Sequence, residues 1–448
     1  MTLSSIRMKS CFLILVATGI VVIPFSLHAK EKLISGSLFN EYKFRTTGDV
    51  EDHDLETLLS VNIGDPVRDR FSGALQGGGI FDLNGKQDDY SLSSIYDTFP
   101  KSTVGRLYYA YMNVKRFKPI ENLRVGRQYL YTLDSLYFDG VSVETLPYCG
   151  LILGGYGGTP VHLFENEIGV DPGDWVAGGY LLWSPIATVR LRLDETHLRD
   201  ETSAFRITEG DKEDDLLGTS LWIDFTENLD FYTRFTTFSD QVRDVEAATS
   251  LQIPDKALSF RLRGYRLLEG YDIRVVEWDA YGIAGTYEPF TQISLSATKE
   301  LGRKFGINGG VDYRFLDDEQ ITSAFNHGYE RVYVSASSHN FLRKDLDLNT
   351  TFDYYHGEDN TLKNNSTGLS FFASQKFFKK RLAVDGGTAY YLYRYNILAG
   401  NESNNVRTYF ADVEGKIVKD LKAKMKYEFE DNDLDNFQTV NTSVTWEF

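Results

Sequence analysis

Apolar and polar residues alternate along most of the chain, and this period of two constrains the fold more than any other feature. In residues 421–430 one face is apolar and every intervening residue is charged; the apolar face holds Leu421, Ala423, Met425, Tyr427 and Phe429. The pattern recurs in four further segments: 187–194, 258–263, 305–315 and 345–354. Successive side chains of a strand point to opposite faces, so the chain is predicted to be all-β.

Two architectures give every strand one apolar and one polar face. A soluble sandwich buries the apolar faces between two sheets, whereas a transmembrane barrel turns them to lipid and keeps the polar faces in its lumen. Here tight turns, such as 419–420 and 379–381, alternate with longer polar loops, such as 396–404 and 357–365. Short turns on one rim and longer loops on the other are typical of a single transmembrane antiparallel β-barrel.

The trace resolves into about 20–22 strands, with a range of 18–22. The higher count requires a hairpin within residues 133–155. In this trace residues 239–255 are a loop and residues 272–286 are a strand. An even count places both ends of the barrel on the periplasmic rim, and neither a plug nor a second domain is expected in residues 30–448.

The first 29 residues have the layout of a secretory signal peptide. Arg7 and Lys9 precede an apolar segment at 11–27, and a charged stretch follows Ala29. Cleavage is therefore expected after Ala29. An anchor helix is the alternative, but the apolar segment is short for a span and is interrupted by glycine and proline.

The composition argues against several function classes. The chain has 64 acidic and 47 basic residues, a net charge of −17, and so lacks the basic excess of a nucleic-acid binder. Its two cysteines cannot supply a four-thiolate site, and no C-x-x-C-H motif attaches haem. Asp431, Asp433 and Asp435 lack the glycine and glutamate of an EF-hand. We expect no metal, no cofactor and no catalytic residues.

The chain ends in VNTSVTWEF, with Val444, Trp446 and Phe448 on one face. A terminal Phe with an aromatic residue two positions earlier resembles the C-terminal signal strand of Gram-negative outer-membrane β-barrels. Together with the alternating strands, the resemblance to porin-like barrels covers residues 30–448. It implies a place in the outer membrane, contact with its lipid and lipopolysaccharide, assembly by the barrel-assembly machinery and, as in many porins, a homo-trimer.

The polar strand faces are predicted to line the pore. Five arginines lie on neighbouring strands in the middle of the chain: Arg190, Arg192, Arg234, Arg261 and Arg263. Four aspartates follow later: Asp312, Asp345, Asp347 and Asp353. One wall would then be basic and another more acidic, an arrangement that orients solutes and sets ion selectivity. Alternatively, these charges only solvate a wet lumen. Residues 84–103 and 156–173 are the candidate constriction loops.

The predicted function is a porin-like channel for passive diffusion of small hydrophilic solutes or ions. The alternative is a barrel that sheaths a separate multihaem cytochrome in a porin–cytochrome electron-transfer conduit. A wide barrel without a plug fits both. An enzyme is not expected, because no nucleophile is marked together with its base.

Overall fold

Twenty-two antiparallel strands form one sheet, and the last strand pairs with the first. The computed structural model describes residues 34–48, 50–85, 92, 102–132, 135–161, 173–200, 212–238, 241–268, 289–317, 328–357, 365–396, 401–433 and 435–448. The sheet is a closed barrel, the form in which strands cross a membrane because no sheet edge is left unpaired. The all-β barrel and its predicted strand count are confirmed; the predicted signal peptide lies outside the described residues.

The strands run in sequence order around the wall. They are β1 Ile34–Thr47, β2 Val50–Ile63, β3 Phe71–Asp82, β4 Thr103–Phe117, β5 Ile120–Tyr131, β6 Ser135–Thr145, β7 Leu151–Pro160, β8 Trp175–Ile186, β9 Val189–Asp200, β10 Lys212–Thr226, β11 Leu229–Phe238, β12 Gln241–Ile253, β13 Leu258–Leu267, β14 Phe290–Leu301, β15 Phe305–Leu316, β16 Tyr329–His339, β17 Leu346–Gly357, β18 Asn365–Phe377, β19 Leu382–Asn396, β20 Asn401–Val418, β21 Leu421–Asp431 and β22 Asn436–Glu447.

The connections divide unequally between the two rims. On the rim that holds both ends of the sheet, no connection exceeds the seven residues 64–70. On the opposite rim, five connections are 11 to 22 residues long: 83–102, 161–174, 201–211, 268–289 and 317–328. Short turns face the periplasm in outer-membrane barrels, so the first rim is periplasmic and the second extracellular.

One strand was wrongly placed in the sequence trace. Residues 241–253, predicted to lie in a loop, form β12, which pairs with both β11 and β13. Strand β13 then pairs directly with β14, so the wall has no place for a further strand between them. The predicted strand at 272–286 lies outside the described residues. Strand β12 was missed because its outward face holds small residues, Ala247 and Thr249, which weaken the apolar signal.

Large apolar side chains are exposed along the outer face. Ile293 and Leu295 on β14 and Val332 and Val334 on β16 are each more than 40% exposed. They alternate with polar residues that face the lumen. A soluble protein rarely exposes an apolar belt of this extent, whereas a membrane barrel covers it with lipid. Within the described residues, no helix is long and apolar enough to cross a membrane.

An introduced charge should destabilise the barrel much more on the outward face of β16 than on its lumenal face. We expect Val334→Arg to lower the free energy of unfolding by about 2–4 kcal/mol, because the guanidinium would face hydrocarbon. The matched variant Ser335→Arg faces the lumen and should cost less than about 1 kcal/mol. Reversible urea unfolding in lipid vesicles, followed by tryptophan fluorescence, measures both. Equal losses would contradict the assignment of the faces.

Candidate functional site: a lumen narrowed by two inward hairpins

A chain of alternating charges lines the lumenal face of β11 to β13. Arg234 Nη2 lies 3.5 Å from Asp244 Oδ1 and 3.7 Å from Glu246 Oε2. Arg263 Nε donates to Glu246 Oε1 at 2.6 Å, and Arg243 Nε donates to Asp244 Oδ2 at 2.7 Å. Three guanidiniums thus share two carboxylates. The predicted basic wall is therefore largely neutralised on these three strands.

Arg261 extends the same face toward the periplasmic rim. It forms no ion pair within the described part of the chain. A pocket of about 370 Å³ opens beside it, lined by Glu246, Arg261, Arg263, Ser294 and Ser296. Two guanidiniums and two hydroxyls therefore face a single carboxylate, and the pocket carries a net positive charge.

The remaining two predicted arginines lie on β9. Arg192 Nη2 lies 2.7 Å from Asp194 Oδ1, and its guanidinium carbon lies 4.3 Å from the centre of the Tyr180 ring. The guanidinium carbon of Arg190 lies 5.7 Å from the centre of the Trp222 ring. Both arginines therefore rest against neighbouring side chains of the wall.

Three of the four predicted aspartates belong to the lumenal face of β15 to β17. Asp312 and Asp353 flank Arg331, with N–O distances of 3.3 and 2.5 Å. Asp347 Oδ1 lies 3.0 Å from His339 Nδ1. Asp345 instead lies in the turn before β17, at the periplasmic rim, where a strand residue was expected. The role of all nine residues in selectivity stays a prediction.

The β5–β6 hairpin bends into the lumen. Strand β5 pairs with β4 only up to the Arg127–Ala110 pair, whereas its pairing with β6 continues to Tyr131 and Ser135. At the hairpin tip, the Tyr131 carbonyl oxygen accepts a hydrogen bond from Arg192 Nη2 at 3.4 Å. Because β9 lies four strands from β5 around the wall, this contact crosses the lumenal faces of the strands between them.

Packing holds this hairpin in place on both of its faces. On one face Phe138 is fully buried and packs with Leu136, Tyr156 and Val176. The Thr132 side chain also hydrogen-bonds the Tyr156 hydroxyl. On the other face Tyr137 is fully buried. Residues 136–138 are buried on both faces of the strand, so this end of the hairpin faces neither lipid nor bulk water, while Phe138 still pairs with Pro160 of β7.

Side chains replace the ladder hydrogen bonds where β5 leaves β4. Arg127 Nη1 donates to the Leu107 carbonyl at 3.1 Å, and the Tyr137 hydroxyl donates to the same carbonyl at 2.9 Å and to that of Tyr108. Asp139 holds the Arg127 guanidinium through two bonds of 2.8 and 2.6 Å. Unsatisfied carbonyls are costly at membrane depth, so these side chains complete the wall.

The β19–β20 hairpin also leans over the lumenal face, here of β17 and β18. The Tyr390 backbone N–H donates to Ser370 Oγ at 3.1 Å. Asn405 Oδ1 accepts bonds from the Tyr390 hydroxyl at 2.9 Å and from Ser366 Oγ at 2.7 Å. Ser366 on β18 and Asn405 on β20 are not on neighbouring strands, so their contact passes over the lumenal side of β19.

A glycine stands at the point where each hairpin leaves the wall. Gly126 has a φ of 124°, and a Cβ there would lie 2.2 Å from the Ala110 carbonyl oxygen. Gly387 precedes Thr388, the last residue of β19 that pairs with β18, and its Cβ would lie 2.1 Å from the Phe371 carbonyl oxygen. Only glycine permits these backbone approaches.

These two inward hairpins were not predicted from the sequence. Of its two candidate constriction loops, residues 86–91, 93–101 and 162–172 lie outside the described residues, and residues 156–160 belong to wall strand β7. A signal was nevertheless present, because Arg127 and Asp139 occupy positions on the apolar faces of β5 and β6. Charged residues at such positions indicate that this part of the face does not meet lipid.

The predicted assembly signal lies at the seam of the barrel. Val444 is opposite Asn40 of β1, and the rings of Trp446 and Phe448 lie 5.2 Å apart. Gly36 and Phe448 exchange two backbone hydrogen bonds of 3.0 Å each. The last residues thus help to close the barrel. Their recognition by an assembly machinery stays a prediction.

One carboxylate cluster has the spacing of a metal site. Oxygens of Asp52, Asp54 and Asp82 lie within 4.8 Å of one another. Arg45 already forms ion pairs with Asp52 and Asp54. The guanidinium offsets part of the negative charge of the three carboxylates, so the cluster is assigned to the lumenal ion pairs.

No protein-family model and no curated protein matches the chain. Among solved structures it is similar to OccK2 (OpdF) of Pseudomonas aeruginosa, with 12% identity, a TM-score of 0.44 and coverage of 93% of this chain and 97% of that one. A BenF-like porin from Pseudomonas fluorescens Pf-5 has 11% identity and a TM-score of 0.46, and the match covers 93% of this chain and 98% of that one. The P pilus usher (PapC) translocation pore has 10% identity and a TM-score of 0.47, and the match covers 93% of this chain and 99% of that one. Similarity at this level carries no argument about solutes or partners.

The geometry of the chain itself defines its class. A closed 22-stranded barrel with an outward apolar belt, a charged inner face and short turns on one rim is an outer-membrane β-barrel. Its architecture is porin-like, since one uninterrupted barrel wall surrounds a polar lumen.

The hairpin bend at Gly126 can be tested with a matched pair of variants. Gly126→Val should displace the hairpin and lower the free energy of unfolding by about 1–3 kcal/mol, because valine is strained at a positive φ and meets the Ala110 carbonyl. A Cβ at Gly105 meets nothing within 4 Å, so Gly105→Val should change little. Denaturant unfolding and single-channel recordings measure both. Identical behaviour of the two variants would contradict the bend.

Proposed function

We propose that this protein is an outer-membrane channel for the passive diffusion of small hydrophilic solutes or ions. The observation that supports this most is the lumen, whose wall carries charged side chains and whose width is reduced by two hairpins of the same chain. Barrels of 16–18 strands already leave an aqueous channel, and a wider barrel needs elements inside its lumen to narrow it, as the two inward hairpins do here.

The same hairpins weigh against a cytochrome sheath. A sheath needs a lumen that accepts a folded partner, and here the β5–β6 hairpin occupies part of it. Moving that hairpin aside would expose Phe138 and Tyr137, which are both fully buried, and would break the bonds to Leu107 and Tyr108. The channel is therefore favoured, and the sheath remains the second hypothesis.

Arg261 is the residue that we expect to affect ion preference most. The guanidiniums of Arg234, Arg263 and Arg331 lie beside carboxylates, so their fields are partly cancelled. Arg261 has no such partner within the described residues and lines the positively charged pocket. Fixed charges on a pore wall attract counter-ions, and the wall at this pocket favours anions.

The channel itself is tested by recording the purified, refolded protein in a planar bilayer. Stable conductance steps and a reversal potential under a salt gradient would support an open pore. Steps in groups of three would support the predicted homo-trimer. Membrane insertion without conductance would contradict the channel, and recovery of a haem-staining protein in a pull-down would then support the sheath.

Reversal of the Arg261 charge should shift the ion preference toward cations. We expect Arg261→Glu to move the reversal potential in that direction, because one side chain of the wall changes from positive to negative beside the pathway, a net change of two unit charges. The same change at Arg68, in a turn outside the lumen, is the control and should leave the reversal potential unchanged. An equal shift in both variants, or none in Arg261→Glu, would contradict the role of the pocket.

A further inference from the structure

Positive charge is concentrated in one arc of the periplasmic rim. Four consecutive turns, which follow β14, β16, β18 and β20, carry eight basic and two acidic residues, a net charge of +6. The basic residues are Arg303, Lys304, Arg343, Lys344, Lys379, Lys380, Arg381 and Lys419. We call these four turns the basic arc. Its charge is opposite in sign to that of the whole chain, which is −17.

The other six turns of the same rim show no such excess. They lie at 64–70, 118–119, 146–150, 187–188, 227–228 and 254–257, and together hold four basic and four acidic residues. The two parts of the rim therefore differ by six charges. The positive charge of this rim is therefore confined to the basic arc.

The side chains of the basic arc are available to a partner. Arg303, Lys304, Arg343, Lys344, Lys379 and Lys380 belong to exposed residues, and none of the eight basic residues forms an ion pair within the described ranges. Adjacent turns on one rim are two strands apart, a separation of roughly 10 Å. The charges therefore form one continuous patch.

The basic arc is continuous with the lipid-facing surface. The guanidinium carbon of Arg343 lies 5.2 Å from the centre of the Phe377 ring, which belongs to the outward face of β18. The ring of Phe341 packs 4.7 Å from that of Phe305, on the outward face of β15. Large apolar side chains in the same turns are also exposed, with Leu342 at 70% and Phe378 at 74%.

We propose that the basic arc binds the anionic head groups of phospholipids in the periplasmic leaflet. Basic side chains beside exposed aromatic rings are the combination that holds a protein at a membrane interface, with the rings at the head-group level and the cations on phosphates. Arg343 connects the basic arc with the aromatic rings, because its guanidinium lies over a lipid-facing ring and its charge stays at the rim.

The position of the aromatic contacts favours lipid over a soluble acidic partner. A protein that docked from the periplasm would contact the side of the turns that faces the periplasm. Phe341 and Arg343, however, contact rings that face outward, into the lipid belt. Anionic lipid matches both the charge and this direction.

The test compares three full-length proteins in vesicles made of equal parts phosphatidylethanolamine and phosphatidylglycerol. The first is the unaltered protein. The second carries Arg343→Glu, Lys379→Glu and Lys380→Glu in the basic arc. The third carries Arg68→Glu, Lys118→Glu and Lys256→Glu in the other turns, and so has the same net charge as the second. Native mass spectrometry counts the lipids of each type that remain bound, and heat-modifiable migration on gels confirms that each barrel is folded.

We expect the unaltered protein and the third protein to retain phosphatidylglycerol preferentially, and the second to lose about tenfold or more of that preference. Equal retention of the two lipids by the unaltered protein would overturn the proposal, as would undiminished preference in the second protein. High salt should reduce the preference of the unaltered protein, since exposed charges are screened. A preference insensitive to salt would also overturn the proposal, even if the second protein failed to fold.

Discussion

Every feature of this structure depends on the need to satisfy backbone hydrogen bonds where no water is present. An unpaired N–H or carbonyl in the hydrocarbon core costs several kcal/mol, so a sheet can span the membrane only if it closes. Closure is achieved by antiparallel pairing of β1 with β22, from Ser37 opposite Glu447 to Thr46 opposite Gln438. Once the sheet is closed, each strand has one face toward lipid and one toward the lumen, and the alternation of side chains follows from it.

The two inward hairpins show how the wall can depart from a regular ladder and still satisfy its backbone. Between β4 and β5, the side chains of Arg127 and Tyr137 donate to carbonyls that a neighbouring strand would otherwise occupy. Between β18 and β19, Ser370 Oγ accepts the bond from the Tyr390 N–H. The chain thereby gains elements inside the lumen while side chains satisfy some of the backbone groups that the interrupted ladders leave. Glycines at 126 and 387 permit the close backbone approach that these departures require.

Charged side chains are arranged differently in the lumen and on the periplasmic rim. On the lumenal faces of β11 to β13 and β15 to β17, guanidiniums and carboxylates alternate at ion-pair distance, whereas Arg261 lines its pocket without an ion pair within the described residues. On the periplasmic rim, the opposite arrangement holds, and the basic arc concentrates charge of one sign. Pairing suits a wall that must remain hydrated and permeable, whereas an unpaired patch suits the binding of a ligand of opposite charge.

The sequence by itself determined the class of fold, because a period of two over strands of membrane-spanning length admits few architectures. It also indicated the strand number, the difference in connection length between the two rims and the hairpin that corresponds to β6 and β7. It misread β12, whose outward alanine and threonine carry little apolar signal.

The tertiary structure alone decided which charges meet and where the lumen narrows. Asp312, Arg331 and Asp353 come together because the strand registers place Asp312 opposite Arg331 and Asp353 diagonally across from it. A local sequence pattern does not determine a register. Likewise, Arg127 at an apolar-face position was visible in the sequence. Its backbone partner, the carbonyl of Leu107, becomes available only because the β4–β5 ladder ends at Ala110, and that depends on long-range pairing.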